Sequence, residues 1–356
     1  MKPPIRVLVV DDSAVMRKLI PQAIQQDDEI QVVGTAINGN FALRKIEELK
    51  PHVITLDLEM PGLNGIETLK QIMRTHKTPV VVVSSYSTEG ASVTMKALAL
   101  GAVDFVAKPT DLLPISEVEQ ELIAKIKAAA ASKGVRALPE TPVRVRKADS
   151  LPSKPATKVI AIGISTGGPN TLQYLLSQLP GDFPGSILVV QHMPESFTRM
   201  FAQRLDDTCA LRVREAQSGD LLLAGRVLIC PGNHHIRVRQ MRLADVVSLS
   251  NDEKVNGHRP SVDVMFHSLA RDFGPRGIAL LMTGMGDDGA EGMGAVKDAG
   301  GMTIAQSEDT CVVFGMPKVA IQRGYALRVV SLEALAHTLQ ALCVPERGAS
   351  AGTNPG

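Results

Sequence analysis

The chain contains no tryptophan, and aromatic residues make up only 3% of its 356 positions. A single-strand nucleic-acid platform stacks bases on aromatic faces, so that class is disfavoured. An excess of either charge is also missing: 38 Lys+Arg face 37 Asp+Glu, a net charge of +1. That balance supplies no broad electrostatic grip on nucleic acid or an anionic membrane. Cysteine is scarce, at Cys209, Cys230, Cys311 and Cys343, with no C-x-x-C pair. The spacing points to neither a disulfide framework nor a zinc site, and fits reduced thiols in a cytoplasmic protein. Long apolar runs are absent as well. The first run, 7–10, stops at Asp11-Asp12 and is too short for a secretory signal. The longest uncharged stretch, 159–181, is interrupted by Ser165-Thr166-Gly167-Gly168-Pro169-Asn170, which makes a poor membrane span. The expectation is a soluble cytoplasmic protein without direct membrane insertion or nucleic-acid binding.

What remains is ordinary globular composition, 44% hydrophobic and 21% charged, in a chain long enough for two domains. Over residues 1–128, apolar runs at 5–10, 30–36, 53–57, 79–84 and 102–106 alternate with helical patterns. Two of these are 13–25, with Ser13 as N-cap, and 91–100, ending at Gly101. Strands apolar along their whole length, each followed by a helix, predict a parallel sheet covered on both faces. Five such units give a doubly wound, flavodoxin-like α/β domain with its site at the carboxyl ends of the strands. Residues 129–157 read as a linker, with Pro139, Pro142, Pro152 and Pro155 and no helical period. From Lys158 the alternation resumes, with strands at 159–164, 186–191, 226–230, 278–283 and 302–305 and helices at 170–178 and 290–299. Segments 237–239 and 246–249 alternate as a hairpin. The second domain, 158–347, is therefore also doubly wound and mostly parallel α/β, with an antiparallel addition; residues 348–356 read as a flexible tail.

In the first domain Asp11 and Asp12 follow the first strand and Asp57 ends the third, so the three carboxylates should converge at the switch point. Such a cluster needs a hard divalent cation or a cationic side chain to stay ionised. Lys108 and Ser84, at later strand ends, offer a positive charge and a hydroxyl to the same rim. The set suits phosphoryl transfer onto an aspartate. Each residue alone also serves as a helix cap or turn residue; their gathering at successive strand ends argues for a site. Residues 5–109 resemble a response-regulator receiver domain, with the phosphoacceptor pattern at Leu56-Asp57-Leu58-Glu59-Met60-Pro61-Gly62. The resemblance implies phosphorylation of Asp57, Mg²⁺ held by Asp11, Asp12 and Asp57, and a histidine kinase as phosphodonor. It also implies that Ser84 and Lys108 contact the phosphoryl group and that Phe105 is the switch aromatic, without the hydroxyl a Tyr would carry.

The second domain opens with Gly163-Ile164-Ser165-Thr166-Gly167, a G-x-S-x-G between a strand and a helix. In that context a serine nucleophile is lifted onto a tight turn, and the helix N-terminus, including the Thr166 N–H, offers donors to an oxyanion. A serine N-cap in a Gly-rich loop has the same pattern. His192 and Asp288 follow two further strands of the same sheet, so nucleophile, general base and orienting carboxylate can meet at one edge. The order Ser…His…Asp is not that of α/β-hydrolases. Asp287 adjoins Asp288, and the sequence leaves open which one orients His192. His234, His235, His258, His267 and His337 lack such placement and read as surface or core residues. A competing reading takes Gly284-x-Gly286-x-x-Gly289 as a dinucleotide loop, but two aspartates inside that turn oppose a pyrophosphate.

Residues 158–345 resemble the catalytic domain of CheB-like chemotaxis protein-glutamate methylesterases. The resemblance rests on the stretches 162–169, 190–194 (Val-Gln-His-Met-Pro), 258–263 (His-Arg-Pro-Ser-Val-Asp), 283–289 and 311–317, in order. It implies a Ser165–His192–Asp288 triad needing no cofactor for the ester reaction, and leaves the 258–263 stretch open between shaping the active-site rim and a structural role. The implied activity is demethylation of glutamate γ-methyl esters on methyl-accepting chemoreceptors, releasing methanol, and deamidation of receptor glutamines. The rival expectation is a non-enzymatic, phosphorylation-dependent adaptor.

Overall fold

The computed structural model describes residues 3–61, 63–109, 115–132 and 154–344. Its first sheet is built from β1 (Ile5–Val10), β2 (Ile30–Ala36), β3 (Val53–Asp57), β4 (Val80–Ser84) and β5 (Asp104–Ala107). The strands are parallel in the order β2-β1-β3-β4-β5. Between and after them run α1 (Met16–Ile24), α2 (Gly39–Leu49), α3 (Gly65–Thr75), α4 (Thr88–Ala99) and α5 (Ile115–Ala131). β3, β4 and β5 are buried throughout, which is why they read as continuous apolar runs. Asn38, Asn64 and Ser87 set the starts of α2, α3 and α4 by accepting N–H groups of their first turns. Helix α1 begins at Met16, later than the expected 13. Asp11 Oδ1 accepts the Ser13 N–H at 2.8 Å and holds that segment in the loop after β1.

The second sheet has seven strands, all parallel, in the order β14-β13-β12-β6-β7-β9-β8. In chain order they are β6 (Val159–Ile164), β7 (Ser186–Gln191), β8 (Arg212–Glu215), β9 (Arg226–Ile229), β12 (Gly277–Leu281), β13 (Met302–Gln306) and β14 (Arg328–Val330). The expected hairpin is a separate antiparallel pair, β10 (His235–Gln240) and β11 (Asp245–Ser250). The helices are α6 (Gly168–Ser177), α7 (Glu195–Thr208), α8 (Val262–Phe273), α9 (Ala290–Asp298), α10 (Met316–Gln322) and α11 (Leu332–Cys343). β6 lies between β7 and β12, so the chain leaves it in opposite directions along the sheet, and the ends of these three strands form the switch point.

The two sheets share one continuous apolar core. It runs from Leu8, Leu56, Met95 and Phe105 to Leu172, Phe197, Phe201 and Leu335. At the seam, Phe105 packs on Phe197 with ring centroids 4.5 Å apart, and Tyr86 meets Phe197 edge-on at 6.4 Å. Asn170 Nδ2 donates to the Leu98 carbonyl at 2.8 Å, and Arg204 donates to that of Met95. Of the expected linker, residues 133–153 lie outside the described residues, as does the expected tail at 348–356. Helix α5 runs on to Ala131. At the far end, Lys154 accepts the Ala224 N–H at 2.9 Å and Thr157 Oγ1 donates to the Cys343 carbonyl at 2.9 Å, so 154–157 is laid onto the second unit.

Candidate active site

Ser165 follows β6 and precedes α6, with its N–H bonded to the Thr283 carbonyl at 3.0 Å and its carbonyl accepting the Gly168 N–H at 2.8 Å. The turn closes through Gly167, at φ +73°, where a Cβ would lie 2.5 Å from the Val312 side chain. Gly284 is pressed equally hard: a Cβ there would sit 2.8 Å from the Ser165 Cβ. The first glycine of the G-x-G-x-x-G segment thus backs the serine, and Asp288 from the same segment faces His192 as described next. A phosphate cradle has no support here.

His192 follows β7 and Asp288 follows β12. His192 Nε2 lies 2.8 Å from Asp288 Oδ2. The carboxylate also accepts the Val262 N–H at 2.7 Å, the Ser261 hydroxyl at 2.8 Å and the Asp263 N–H at 3.2 Å. Two of those donors are backbone groups at the positive end of α8. Burial opposes its ionisation, but His192 and these donors hold Asp288 below the usual carboxylate range. An ionised Asp288 fixes the tautomer, with Nε2–H donating to it and the lone pair on Nδ1. That Nδ1 is buried without a hydrogen-bond partner, so Ser165 Oγ is not engaged with it in this arrangement. Asp287, in contrast, is 60% exposed and 3.9 Å from Arg323. The geometry favours Asp288 as the orienting carboxylate.

Three neighbours of this group were not legible as such. Gln191 Nε2 donates to both the Ser165 carbonyl at 3.0 Å and the His192 carbonyl at 3.1 Å, tying the two turns together. His258, expected on the surface or in the core, stacks on His192 with centroids 3.9 Å apart and planes at 9°. Asp104, from β5 of the first sheet, places Oδ2 3.0 Å from the Gly167 N–H. Gln191 had a local signal in its position beside His192, and His258 in the 258–263 stretch that shapes the rim or is structural; Asp104 had none.

In the first sheet, Asp11, Asp12 and Asp57 bring ligand oxygens within 4.8 Å of one another. Lys108 Nζ lies 2.8 Å from Asp57 Oδ2 and 3.4 Å from Asp11 Oδ2. Burial pushes the Asp11 carboxyl up, with Lys108 opposing. Burial works against the Lys108 ammonium, yet Asp57 and Asp11 raise it overall. Asp11 Oδ2 is buried without a hydrogen bond. Hard oxygen donors gathered this closely, one of them buried with only an ion-pair contact, fit a divalent cation. Ser84, at the end of β4, is buried and donates to the Gly90 carbonyl at 3.3 Å. Phe105 is buried too, but against Phe197 of the other unit rather than only within its own.

Residues 7–118 match the family described as response regulator receiver domain, and residues 160–339 match that described as CheB methylesterase. The chain belongs to the CheB methylesterase family. A protein-glutamate methylesterase/protein-glutamine glutaminase of Koribacter versatilis is 56% identical, over 98% of each chain. One of Symbiobacterium thermophilum is 45% identical, over 94% of this chain and 96% of its own. The crystal structure of the Thermotoga maritima CheB methylesterase catalytic domain, 41% identical, superposes with a TM-score of 0.51 over 52% of this chain and 99% of that one. Membership joins an α/β receiver to an α/β CheB domain in one chain. No helix among the described residues is long and apolar enough to cross a membrane.

Proposed function

We propose that the chain is a phosphorylation-activated serine esterase of chemotaxis adaptation. It hydrolyses glutamate γ-methyl esters on chemoreceptors, releasing methanol, and deamidates receptor glutamines to glutamate. Residues 1–131, to the end of α5, form its receiver and 154–347 its esterase, with the linker expected at 129–157 shortened at both ends, in the cytoplasm. The observation that carries the reading is the buried His192–Asp288 pair at the strand edge that bears Ser165. A domain that only binds a partner, as the adaptor reading requires, has no need of an imidazole with one nitrogen locked by a carboxylate and the other buried and unpaired.

Ser165 Oγ attacks the ester carbonyl carbon while His192 Nδ1 takes its proton. The Asp288 carboxylate, already ionised, stabilises the imidazolium through Nε2–H. The N-terminus of α6, through the Thr166 N–H, meets the charge developing on the carbonyl oxygen. His192 then gives the proton to the departing methoxide, or to the amide nitrogen of a glutamine, so methanol or ammonia leaves. Water, deprotonated by His192, releases the glutamate carboxylate from Ser165.

At the receiver, Asp57 takes the phosphoryl group from a histidine kinase. Asp11, Asp12 and Asp57 would hold Mg²⁺, which when bound offsets charge on the phosphoryl oxygens. Lys108 and Ser84 supply donors from the same rim. Ser165→Ala in the full chain tests the reading: methanol release from methylated receptors should vanish while folding and Asp57 phosphorylation persist. Near-normal turnover by the folded variant overturns it.

A further inference from the structure

A single hydrogen bond between Asp288 and His192 fixes one edge of the base, but leaves its ring free to tilt about that contact. Ser165 attack needs the Nδ1 lone pair aimed at Oγ, and a face-on contact restricts the tilt that the hydrogen bond leaves. The structure holds one. The His258 ring lies parallel to that of His192 at 3.9 Å.

His258 is delivered there by a tight turn. Val255 and His258 exchange N–H···O bonds of 3.0 and 2.9 Å across Asn256-Gly257. Both central residues have positive φ, +52° and +76°, the geometry for which Asn-Gly is suited in a two-residue turn. Asn256 Nδ2 then donates to Asp263 Oδ2 at 2.7 Å and reaches Asp288 Oδ1 at 3.5 Å. The carboxylate that holds the edge of His192 is therefore also tied to the turn that presents a ring to its face.

We propose that His258 is a positioning residue for the esterase reaction, clamping the His192 ring by stacking and so limiting the tilt of Nδ1 when Ser165 Oγ engages it. The proposal rests on the Ser165–His192–Asp288 reading above. Its stacking partner must stay uncharged while His192 cycles through imidazolium, because two facing cations repel. Burial, with His192 adding to it, pushes His258 down to about 4, against the pull of Asp288 and Asp287 and with Lys254 assisting. A neutral ring face also favours the cation that forms on His192 during attack.

The test compares His258→Ala and His258→Phe with the parent, all full-length and phosphorylated, by methanol release from methyl-labelled receptor membranes. Loss of the flat face should lower kcat on the order of 10²-fold with KM little changed, as expected for a misaimed base. Phe restores a flat uncharged face, and should return kcat to within severalfold of the parent. Turnover by folded His258→Ala equal to the parent overturns the proposal, as does a folded His258→Phe as impaired as Ala, which would mean that the imidazole nitrogens matter. If His258→Ala does not fold, the Phe variant decides alone. Ser165→Ala run alongside separates the two readings. Activity lost in Ser165→Ala but untouched by His258→Ala defeats only the clamp, whereas activity retained in Ser165→Ala defeats the triad itself.

Discussion

The carboxylate of Asp104, in the receiver, accepts the amide N–H of Gly167, two residues past Ser165, at 3.0 Å. Gly167 caps α6, whose N-terminus carries the partial positive charge that an ester oxyanion would use. A receiver oxygen thus rests on the helix end that the proposed reaction would use. Lys125 holds the same carboxylate at 3.2 Å, and the next residue, Phe105, is packed on Phe197. Strand β5 therefore carries both Phe105, which the receiver resemblance makes the switch aromatic, and the oxygen that reaches the turn bearing Ser165.

Asp104→Ala should raise the activity of the unphosphorylated chain and shrink its response to phosphodonor. Lys125 keeps Glu121 at 2.7 Å, so the variant retains one partner for that ammonium. Methanol release without donor checks this. An unchanged basal rate in a folded variant would show that the contact does not restrain the enzyme.

For the orienting carboxylate, Asp288→Asn should lower kcat by on the order of 10⁴, since an amide there favours the wrong imidazole tautomer. Asp287→Asn, at an exposed side chain beside Arg323, should change it little. Steady-state kinetics of the two variants decide between neighbours. The depressed Asp288 also makes the native state bind fewer protons than the unfolded chain as pH falls below about 4. The stability it contributes is complete above that pH and lost as pH drops toward its lower folded value. Acid should then destabilise Asp288→Asn less than the parent, as read by thermal unfolding midpoints at neutral and acid pH.

At the receiver, Asp11→Asn should weaken the dependence of phosphorylation on divalent cation and slow labelling of Asp57. It removes one charge from three carboxylates whose oxygens lie within 4.8 Å of one another. Titration of the labelling rate with Mg²⁺ tests this; a half-saturating concentration equal to the parent's would remove Asp11 from the site.

Much of this was readable along the chain because buried parallel strands announce themselves. β3 and β4 are fully buried, and Asp57 and Ser84 stand at their ends. Ser165 and His192 were placed in the same way, each directly after a strand of one sheet, and Asp288 in the loop that follows a third. Helices α7 and α8 were not identified, nor was the role of α8 in holding Asp288 through the N–H groups of Val262 and Asp263. That role depends on a helix end meeting a distant loop, which no local period encodes. Asp104 sat inside an apolar run, and its partner Gly167 lies 63 residues away across the domain seam. His258 meets His192 from the tight turn after β11, far from it along the chain. Contacts made by tertiary folding leave no spacing to read.

The central claim is that phosphorylation of Asp57 frees an esterase centred on Ser165. The most direct measurement is the rate of methanol release from methylated receptors by the full-length chain, with and without phosphodonor, beside full-length Asp57→Asn. The account predicts that donor accelerates the parent and leaves Asp57→Asn at the low basal rate. A parent whose rate is indifferent to donor while Asp57 is fully phosphorylated would contradict it.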